Sequence, residues 1–325
     1  GWGTEGWKGE PGLRRYRSED GREWRRMKNL VFDASASGID GRILELDLGT
    51  DGLGADDVSI LNSTFIGSTF VGGTDERALV WSDGDGHDRL TVSGSTFTGG
   101  WAGIHALDGP FNATVNEDWA ISDNTFEDQT AYGLRLSQPD GIQITGNVFS
   151  GSAANLQAIL TAYNQGFTIT GNQIGLTGGS SYGMYMDGPD AGTSGVALLA
   201  NNFIRADRPV LLTSGTTGIR VVHNTLYARG DTPAPLTLVG SSSNIAELTN
   251  NILLSAVSGP ALVLGDAGAL GQPLRQQREL APFAEQAQAD QVAACVAAEV
   301  EVRRGRALQP LRVHRATAAA SSAVG

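Results

Sequence analysis

A repeat of 23 to 32 residues runs through most of this chain and constrains its fold more than any other feature. Each copy has an apolar residue, two variable residues, Asn or Ser, a variable residue and a second apolar residue. The eight copies are Ile60 to Phe65, Val92 to Phe97, Ile121 to Phe126, Ile144 to Phe149, Ile169 to Ile174, Leu198 to Phe203, Val221 to Leu226 and Leu248 to Leu253. A fixed period of this length is typical of solenoids.

A second string repeats between these copies, every 25 to 30 residues. It has a small residue, then an apolar, a variable and an apolar residue. Its small residues are Ala78, Gly103, Gly133, Ala158, Gly183, Pro209, Pro235 and Ala261. The repeats contain short alternating segments but none of helical length, which excludes leucine-rich and ankyrin repeats. Strands of successive repeats are therefore expected to stack in parallel.

Alternation along a strand assigns side chains to the inside or the outside of the coil. Residues one and three places after the small residue, such as Leu79 and Trp81, are predicted to point inward. The predicted outward column is Val80, His105, Arg135, Leu160, Tyr185, Leu211, Thr237 and Val263. The repeated Asn or Ser is predicted at a turn, where an Asn amide can bond its equivalent one coil away, at about 4.8 Å. That column is Ser63, Ser95, Asn124, Asn147, Asn172, Asn201, Asn224 and Asn251.

Strings such as Ile144-Thr-Gly-Asn-Val-Phe149 and Ile169-Thr-Gly-Asn-Gln-Ile174 resemble the right-handed parallel β-helix (pectate-lyase-like) superfamily. The resemblance implies an all-β fold, a single-stranded right-handed parallel β-helix solenoid, and we expect about eight coils over residues 29–270. It does not select an activity, because this superfamily contains polysaccharide lyases, epimerases, glycoside hydrolases, tailspikes and non-enzymatic adhesins.

The ends of the chain depart from the repeat. Residues 1–28 are rich in Trp, Gly, Arg and Glu without a period, and we interpret them as an N-terminal segment or cap, with the first strand at Leu30 to Phe32. Residues 271–325 are rich in Ala, Arg and Gln. This C-terminal tail is either a helical cap, with Glu285 to Arg306 as the helix, or disordered.

Charge limits the partners that the coil can bind. Residues 29–270 contain eight Arg, no Lys and 25 Asp or Glu. Such a domain repels phosphate backbones, so we expect no nucleic acid partner. No apolar stretch is long enough to span a membrane, and the single cysteine, Cys295, gives no disulfide framework. The resemblance favours a secreted or cell-surface protein, although no signal peptide is present in the chain.

Polar side chains cluster in the predicted outward column. His105 and Arg135 are on neighbouring coils and Tyr185 lies two coils further, so a proton-handling group, a fixed cation and a phenol share one face. We take these three as candidate catalytic residues. The alternative is that any outward column contains a few polar residues by chance.

Three of the turns that follow this strand are long and begin with Asp-Gly. We therefore predict that Asp83, Asp108 and Asp187 wall a substrate groove together with Tyr163 and Trp101, and we consider Trp119 a further stacking residue. Carboxylates on such turns can hold a hard cation, which makes Asp108, Asp187 and Asp190 candidate ligands for Ca²⁺. Asp-Gly is also an ordinary turn dipeptide, so these segments are alternatively only turns.

Two functions follow from these features. The first is an extracellular polysaccharide-binding protein that also processes its ligand, as a polysaccharide lyase, epimerase or glycoside hydrolase. In the lyase-like version, Ca²⁺ or Arg135 neutralises a uronate carboxylate and His105 or Tyr185 moves the proton. The second is a non-catalytic surface protein of the adhesin type, whose outward face is only solvated.

Overall fold

The computed structural model describes residues 26–35, 42–47, 56–68, 77–83, 86–107, 117–137, 140–190, 195, 197–213, 215–230, 234–240, 245–256 and 260–264. Residues 1–25 of the predicted N-terminal segment, the whole C-terminal tail and Asp108 lie outside this set. Within it, no helix is long and apolar enough to cross a membrane.

The described residues form three parallel sheets of nine strands each. Sheet A contains Arg26–Lys28 (β1), Ser59–Leu61 (β4), Thr91–Ser93 (β7), Ala120–Ser122 (β10), Gln143–Thr145 (β13), Thr168–Thr170 (β16), Leu198–Ala200 (β19), Ile219–Val222 (β22) and Ile245–Thr249 (β25). Sheet B contains Val31–Asp33 (β2), Thr64–Ile66 (β5), Thr96–Thr98 (β8), Thr125–Glu127 (β11), Val148–Gly151 (β14), Gln173–Leu176 (β17), Phe203–Ala206 (β20), Thr225–Ala228 (β23) and Ile252–Ser255 (β26). Sheet C contains Leu44–Asp47 (β3), Ala78–Asp83 (β6), Ala102–Leu107 (β9), Tyr132–Ser137 (β12), Gln157–Ala162 (β15), Tyr182–Asp187 (β18), Arg208–Thr213 (β21), Leu236–Leu238 (β24) and Leu262–Leu264 (β27).

Each coil contributes one strand to each sheet, so the predicted all-β parallel β-helix is confirmed. The repeated strings do not mark the first coil, because their first copy begins at Ile60. Its strand β1 pairs with β4, and Met27 lies opposite Ile60. In the described part of the chain, the stack therefore extends to Arg26 and includes residues that we interpreted as an N-terminal segment. The signal was weak because Leu30 stands at the ladder position, where the later coils have Asn or Ser.

Stacked phenylalanines fill the core beside sheet B. Ring centroids of successive Phe residues are 4.8 to 4.9 Å apart, and the planes of the last four lie within 7° of parallel. This spacing equals the distance between hydrogen-bonded strands, so each ring contacts its equivalent in the next coil. The stacked residues are Phe32, Phe65, Phe97, Phe126 and Phe149.

The small residues of the second string face this aromatic column. A Cβ added at Gly133 would lie 2.7 Å from Cδ1 of Phe149 and 2.5 Å from the carbonyl oxygen of Ala158. At Gly103 it would lie 2.6 Å from Cδ1 of Phe126. The string therefore requires a small residue because sheet C approaches the Phe column closely at this level.

An amide ladder forms the turn between sheets A and B, as predicted. In each step the Nδ2 of one Asn donates to the Oδ1 of the next, over 3.0 to 3.1 Å. The same Oδ1 also accepts the backbone N–H of the preceding Asn. The ladder runs through Asn124, Asn147, Asn172, Asn202, Asn224 and Asn251.

One ladder position differs from the prediction. Asn202 occupies the buried position that we assigned to Asn201, whereas Asn201 is exposed and has a φ of 54°. The reason is that Leu199, not Leu198, pairs with Ile169. The doubled Leu-Leu and Asn-Asn in this coil satisfy the repeat in two registers, and packing of Leu199 inward selects one.

A second register prediction, in β6, was also wrong. Val80 rather than Leu79 pairs with Ile104, and Trp81 pairs with His105. Val80 is therefore inward and Trp81 belongs to the outward column. Leu79 is buried at the level of Gly103. A Cβ added at Gly67 would lie only 2.5 Å from the Cδ2 of Leu79. Gly67 thus makes room for a large residue at a position that is small in the neighbouring coil.

Candidate functional site

The outer face of sheet C combines two outward columns of side chains. The first, here the central column, contains Glu45, Trp81, His105, Arg135, Leu160, Tyr185, Leu211, Thr237 and Val263. The second, here the leading column, contains Ala78, Ala102, Tyr132, Gln157, Tyr182 and Arg208. The strands hold equivalent side chains about 4.8 Å apart along the helix axis, which makes this face a fixed lattice.

Aromatic side chains pack together at the start of this face. His105 contacts Trp81 edge-on with ring centroids 4.4 Å apart, and it contacts Trp101 at 5.2 Å. Trp101 in turn contacts Tyr132 at 4.9 Å. Trp81 and His105 are buried, whereas Trp101 and Tyr132 are partly exposed. Trp101, His105 and Tyr132, with Trp81 below them, form what we call the aromatic cluster.

Two arginines flank the aromatic cluster. The guanidinium carbon of Arg42 lies 3.9 Å from the ring centroid of Trp81, and Nη1 of Arg42 is 3.0 Å from Oε1 of Glu45. The guanidinium carbon of Arg135 lies 5.6 Å from the Trp101 ring and 5.2 Å from the Tyr132 ring. Arg135 makes no ion pair among the described residues. Its guanidinium ion contacts aromatic ring faces instead of a carboxylate.

His105, a predicted catalytic residue, is in the expected column but is fully buried. Neither ring nitrogen has a hydrogen-bond partner within the described part of the chain. Burial, together with the positive charges of Arg135 and Arg42, lowers the pKa of His105 to about 3. The imidazole is therefore neutral at physiological pH and contacts aromatic rings rather than solvent.

Tyr185 lies on the same face, two coils beyond Arg135, as predicted. Its ring stacks with Tyr182 at a centroid distance of 5.7 Å. Arg208, one coil further, lies 4.9 Å over the Tyr182 ring and donates a hydrogen bond from Nη1 to its hydroxyl. Trp101, Tyr132, Arg135, Tyr182, Tyr185 and Arg208 together form the aromatic strip. Arg135 and Arg208 are three coils apart, which is about 14 Å along the helix axis.

Two of the predicted acidic residues, Asp187 and Asp190, lie at one edge of this face. Oδ1 of Asp187 accepts a hydrogen bond of 2.7 Å from the Thr213 hydroxyl. Asp190 follows in the next turn, where its backbone bridges Gln165 and Thr217. Asp83 ends β6, and its side chain is outside the described set, as is Asp108. Among the described residues, no group of three or more His, Cys, Asp or Glu side chains is arranged to hold a metal ion.

Tyr163 stands on the same edge with an unusual backbone. Its φ is 54°, and 43% of its surface is exposed. Its N–H donates to the carbonyl of Asp187, and in the next coil the equivalent residue is Gly188, with a φ of 59°. A bulky residue in the left-handed region costs about 1–2 kcal/mol. An exposed tyrosine is thus held in a strained backbone conformation beside Asp187.

Trp119 does not belong to the site, contrary to our expectation. Only 1% of its surface is exposed, and its Nε1 donates a hydrogen bond to the carbonyl of His87 inside the coil. It precedes the sheet A strand β10, so the coil closes over it instead of presenting it to solvent.

Besides Trp81, which was predicted to point inward, four residues of the site were not predicted: Arg42, Tyr132, Tyr182 and Arg208. A signal was present for three of them, because each directly precedes the small residue of the second string, in Tyr132-Gly133, Tyr182-Gly183 and Arg208-Pro209. That position points outward and defines the leading column. Arg42 had no signal, since its coil lacks the second string.

The arrangement favours binding over acid–base chemistry. The carboxylates of this face whose side chains are described, Glu45 and Asp187, are bonded to Arg42 and Thr213. Ring faces and guanidinium groups remain the accessible functional groups. Flat apolar faces beside hydrogen-bond donors suit ligands with alternating apolar and polar surfaces.

Comparison with known proteins identifies the fold. The family model described as a right handed beta helix region matches residues 78–253, which is more than half of the chain. Searches of curated proteins and of solved structures gave no significant match to this chain.

Proposed function

The chain belongs to the right-handed β-helix family, and on that premise we propose that it binds a polysaccharide along the outer face of sheet C. The ligand lies parallel to the helix axis, on the aromatic strip. Successive coils repeat at about 4.8 Å, so an extended polymer meets equivalent positions of several coils at once. Such a ligand places the site of action outside the cell or at its surface.

One observation carries this proposal: Trp101, Tyr132 and Arg135 form a partly exposed stack on an otherwise acidic coil. Arg135 contacts both rings, so the three side chains brace one another and present a preformed surface. Because the platform is preformed, binding costs little conformational entropy. Weak stacking contacts can therefore contribute to affinity. Tyr182, Tyr185 and Arg208 repeat this combination further along the axis.

We propose binding without turnover as the activity. His105 is buried under Trp101 and Trp81, so in this conformation it does not reach a substrate. If the protein also processes its ligand, Tyr185 and Arg135 are the accessible members of the predicted catalytic set. The adhesin-type alternative is also compatible with polysaccharide binding by the strip. It differs from the lyase alternative only in that the bound polysaccharide is not cleaved.

The experiment is a glycan panel with neutral, uronate-containing and sulfated polysaccharides, measured with and without calcium. Trp101→Ala, Tyr132→Ala and Arg135→Ala should each weaken binding about tenfold or more, the loss expected when a central interface residue is truncated. Thr237→Ala is the matched control, because Thr237 is in the same column beyond the strip. The proposal is wrong if the parent binds no glycan, or if the three variants and the control behave alike. Release of unsaturated or shortened products would show turnover.

A further inference from the structure

Hydrogen-bond donors without acceptors are concentrated beneath the aromatic strip. Nε of Arg42, Nε1 of Trp81 and both nitrogens of His105 are buried and have no hydrogen-bond partner within the described part of the chain. A neutral imidazole donates from one of its two nitrogens. Three donors on three side chains are thus unsatisfied in one place, although each such group costs about 1–3 kcal/mol.

The three side chains are contiguous. Arg42 lies over the Trp81 ring at 3.9 Å, and the Trp81 ring contacts His105 at 4.4 Å. The surrounding charge is mainly positive. Arg42 and Arg135 both act on His105, and the carboxylate of Glu45 is paired with Arg42 through its Nη1, leaving the Nε of Arg42 unbonded.

From this geometry we infer that Arg42, Trp81 and His105 form a subsite for an oxyanion, a carboxylate or sulfate group carried by the saccharide. An oxyanion accepts several hydrogen bonds and needs no donor of its own, so it matches a group of unsatisfied donors beside two guanidinium ions. The identity of the carrier rests on the proposed function, whereas the subsite itself does not. The polysaccharide is therefore acidic.

Trp101 controls access to the subsite. It packs against His105 and is itself partly exposed, so it separates the imidazole from solvent. It directly follows Gly99 and Gly100, which have φ values of 69° and 74°. An anion enters when the indole turns aside, and the sugar ring that carries it then replaces the contact between Trp101 and His105.

Anion binding also changes the protonation of His105. Burial is the main cause of its lowered pKa, and the charges of Arg135 and Arg42 add to it. A bound anion offsets these two charges, so it should raise the pKa of the imidazole. The other titratable groups of this region are Glu45, which pairs with Arg42, and Tyr132, which packs against Trp101 and Arg135. Binding should accordingly tighten as the pH falls towards the raised pKa of His105, as long as the anionic group itself stays ionised.

The test is titration of the full chain with inorganic sulfate and with glucuronate, followed through the imidazole resonances of His105 by NMR. Methyl glucoside is the neutral comparison. Both anions should shift these resonances saturably and raise the pKa of His105, and methyl glucoside should do neither. Arg42→Gln should weaken sulfate binding about tenfold, the loss expected for one charged hydrogen bond. Arg220→Gln, which removes an exposed arginine paired with Glu247 on sheet A, is the matched control and should not change it.

Trp101→Ala separates this inference from the proposed function. The variant should lose polysaccharide binding but keep sulfate binding, since the donors remain and their cover is removed. Sulfate binding by the parent without any polysaccharide binding would sustain the subsite and refute the proposed function. The subsite would be overturned if neither anion affected His105 in the parent or in Trp101→Ala. It would also be overturned if Arg42→Gln bound sulfate as tightly as the parent.

Discussion

The imidazole of His105 stands edge-on against the indole of Trp81, with ring planes at 84° and centroids 4.4 Å apart. The two residues are direct partners in neighbouring strands, β6 and β9. Their contact joins two coils on the outside of the helix, where most residue pairs are solvated. If this face binds a ligand as proposed, the stability of the coil and ligand binding both depend on the His105 side chain.

The stability of the coil should decrease in mild acid because of His105. Its folded-state pKa of about 3 is below the ordinary value of 6.5, so the unfolded chain binds the proton more readily. The stabilising contribution is complete above pH 6.5 and is lost as the pH falls from 6.5 towards 3. The loss is about 1.4 kcal/mol per pH unit, or about 2 kcal/mol between pH 6.5 and 5.

Chemical denaturation at several pH values measures this effect, with His105→Phe as the comparison. Phe keeps a ring between the two indoles but does not titrate. The lowered pKa values of Asp33 and Glu247 act in the same direction at lower pH, and both remain in the variant. Equal slopes for the parent and His105→Phe between pH 6.5 and 5 would contradict the prediction.

Asn147→Ala and Asn172→Ala should each destabilise the coil. The Asn147 side chain accepts bonds from Nδ2 and the backbone N of Asn124, and it donates to Ile121 and to Asn172. Removing it leaves buried donors of Asn124 unsatisfied, which should cost about 2–3 kcal/mol. Thermal or denaturant unfolding measures the change. Thr145→Ala, an exposed residue two places earlier, serves as the control and should be nearly neutral.

Gly133→Ala and Gly175→Ala should have opposite effects. The new methyl group at Gly133 overlaps Phe149 and the Ala158 carbonyl, so the strand or the aromatic column must move, at a cost of about 1–3 kcal/mol. No atom lies within 4 Å of a Cβ at Gly175. There the substitution only restricts the unfolded chain and should stabilise by about 0.4–1 kcal/mol. Unfolding free energies of the two variants decide the matter, and equal shifts would refute the packing argument.

Tyr163→Gly should make the protein more stable and less able to bind its ligand. Glycine removes the strain of a φ of 54°, and the gain should be at most about 1 kcal/mol because glycine also adds freedom to the unfolded chain. The exposed ring at the edge of the binding face is lost at the same time. Binding assays and unfolding curves on one sample test both halves. A loss of stability together with unchanged glycan affinity would show that Tyr163 serves packing alone.

The fold could be predicted from the sequence because the two repeated strings are local and their physical requirements are strict. Asn147 and Asn172 are needed for the ladder, and Gly133 is needed for close approach to Phe149, so each leaves a visible mark in the chain. The predictions failed where two registers fit equally well. Leu198-Leu199 and Asn201-Asn202 satisfy the same string twice, and only packing selects between them.

The site was harder to predict than the fold. The outward positions of His105, Arg135 and Tyr185 followed from alternation. The burial of His105 did not, because it results from Trp101 and Trp81, which come from a turn and from a strand whose register was misassigned. Arg42 reaches the cluster from the first coil, which the repeated strings do not mark. The contacts of this cluster join side chains that are not equivalent in the repeat, and such contacts leave no periodic signal.

The amide ladder makes the chain divisible into units of unequal length. Successive ladder residues are separated by 23, 25, 30, 22 and 27 residues, yet every step has the same hydrogen-bond geometry. Length differences are therefore absorbed between ladder residues and do not alter the stacking. A deletion from Val148 to Asn172 would join Asn147 to Gln173. Asn202 would then be the next ladder residue after Asn147. Natural chains of this kind can accordingly gain or lose whole coils, and so lengthen or shorten a ligand-binding face, without a change in the rule that holds the coils together.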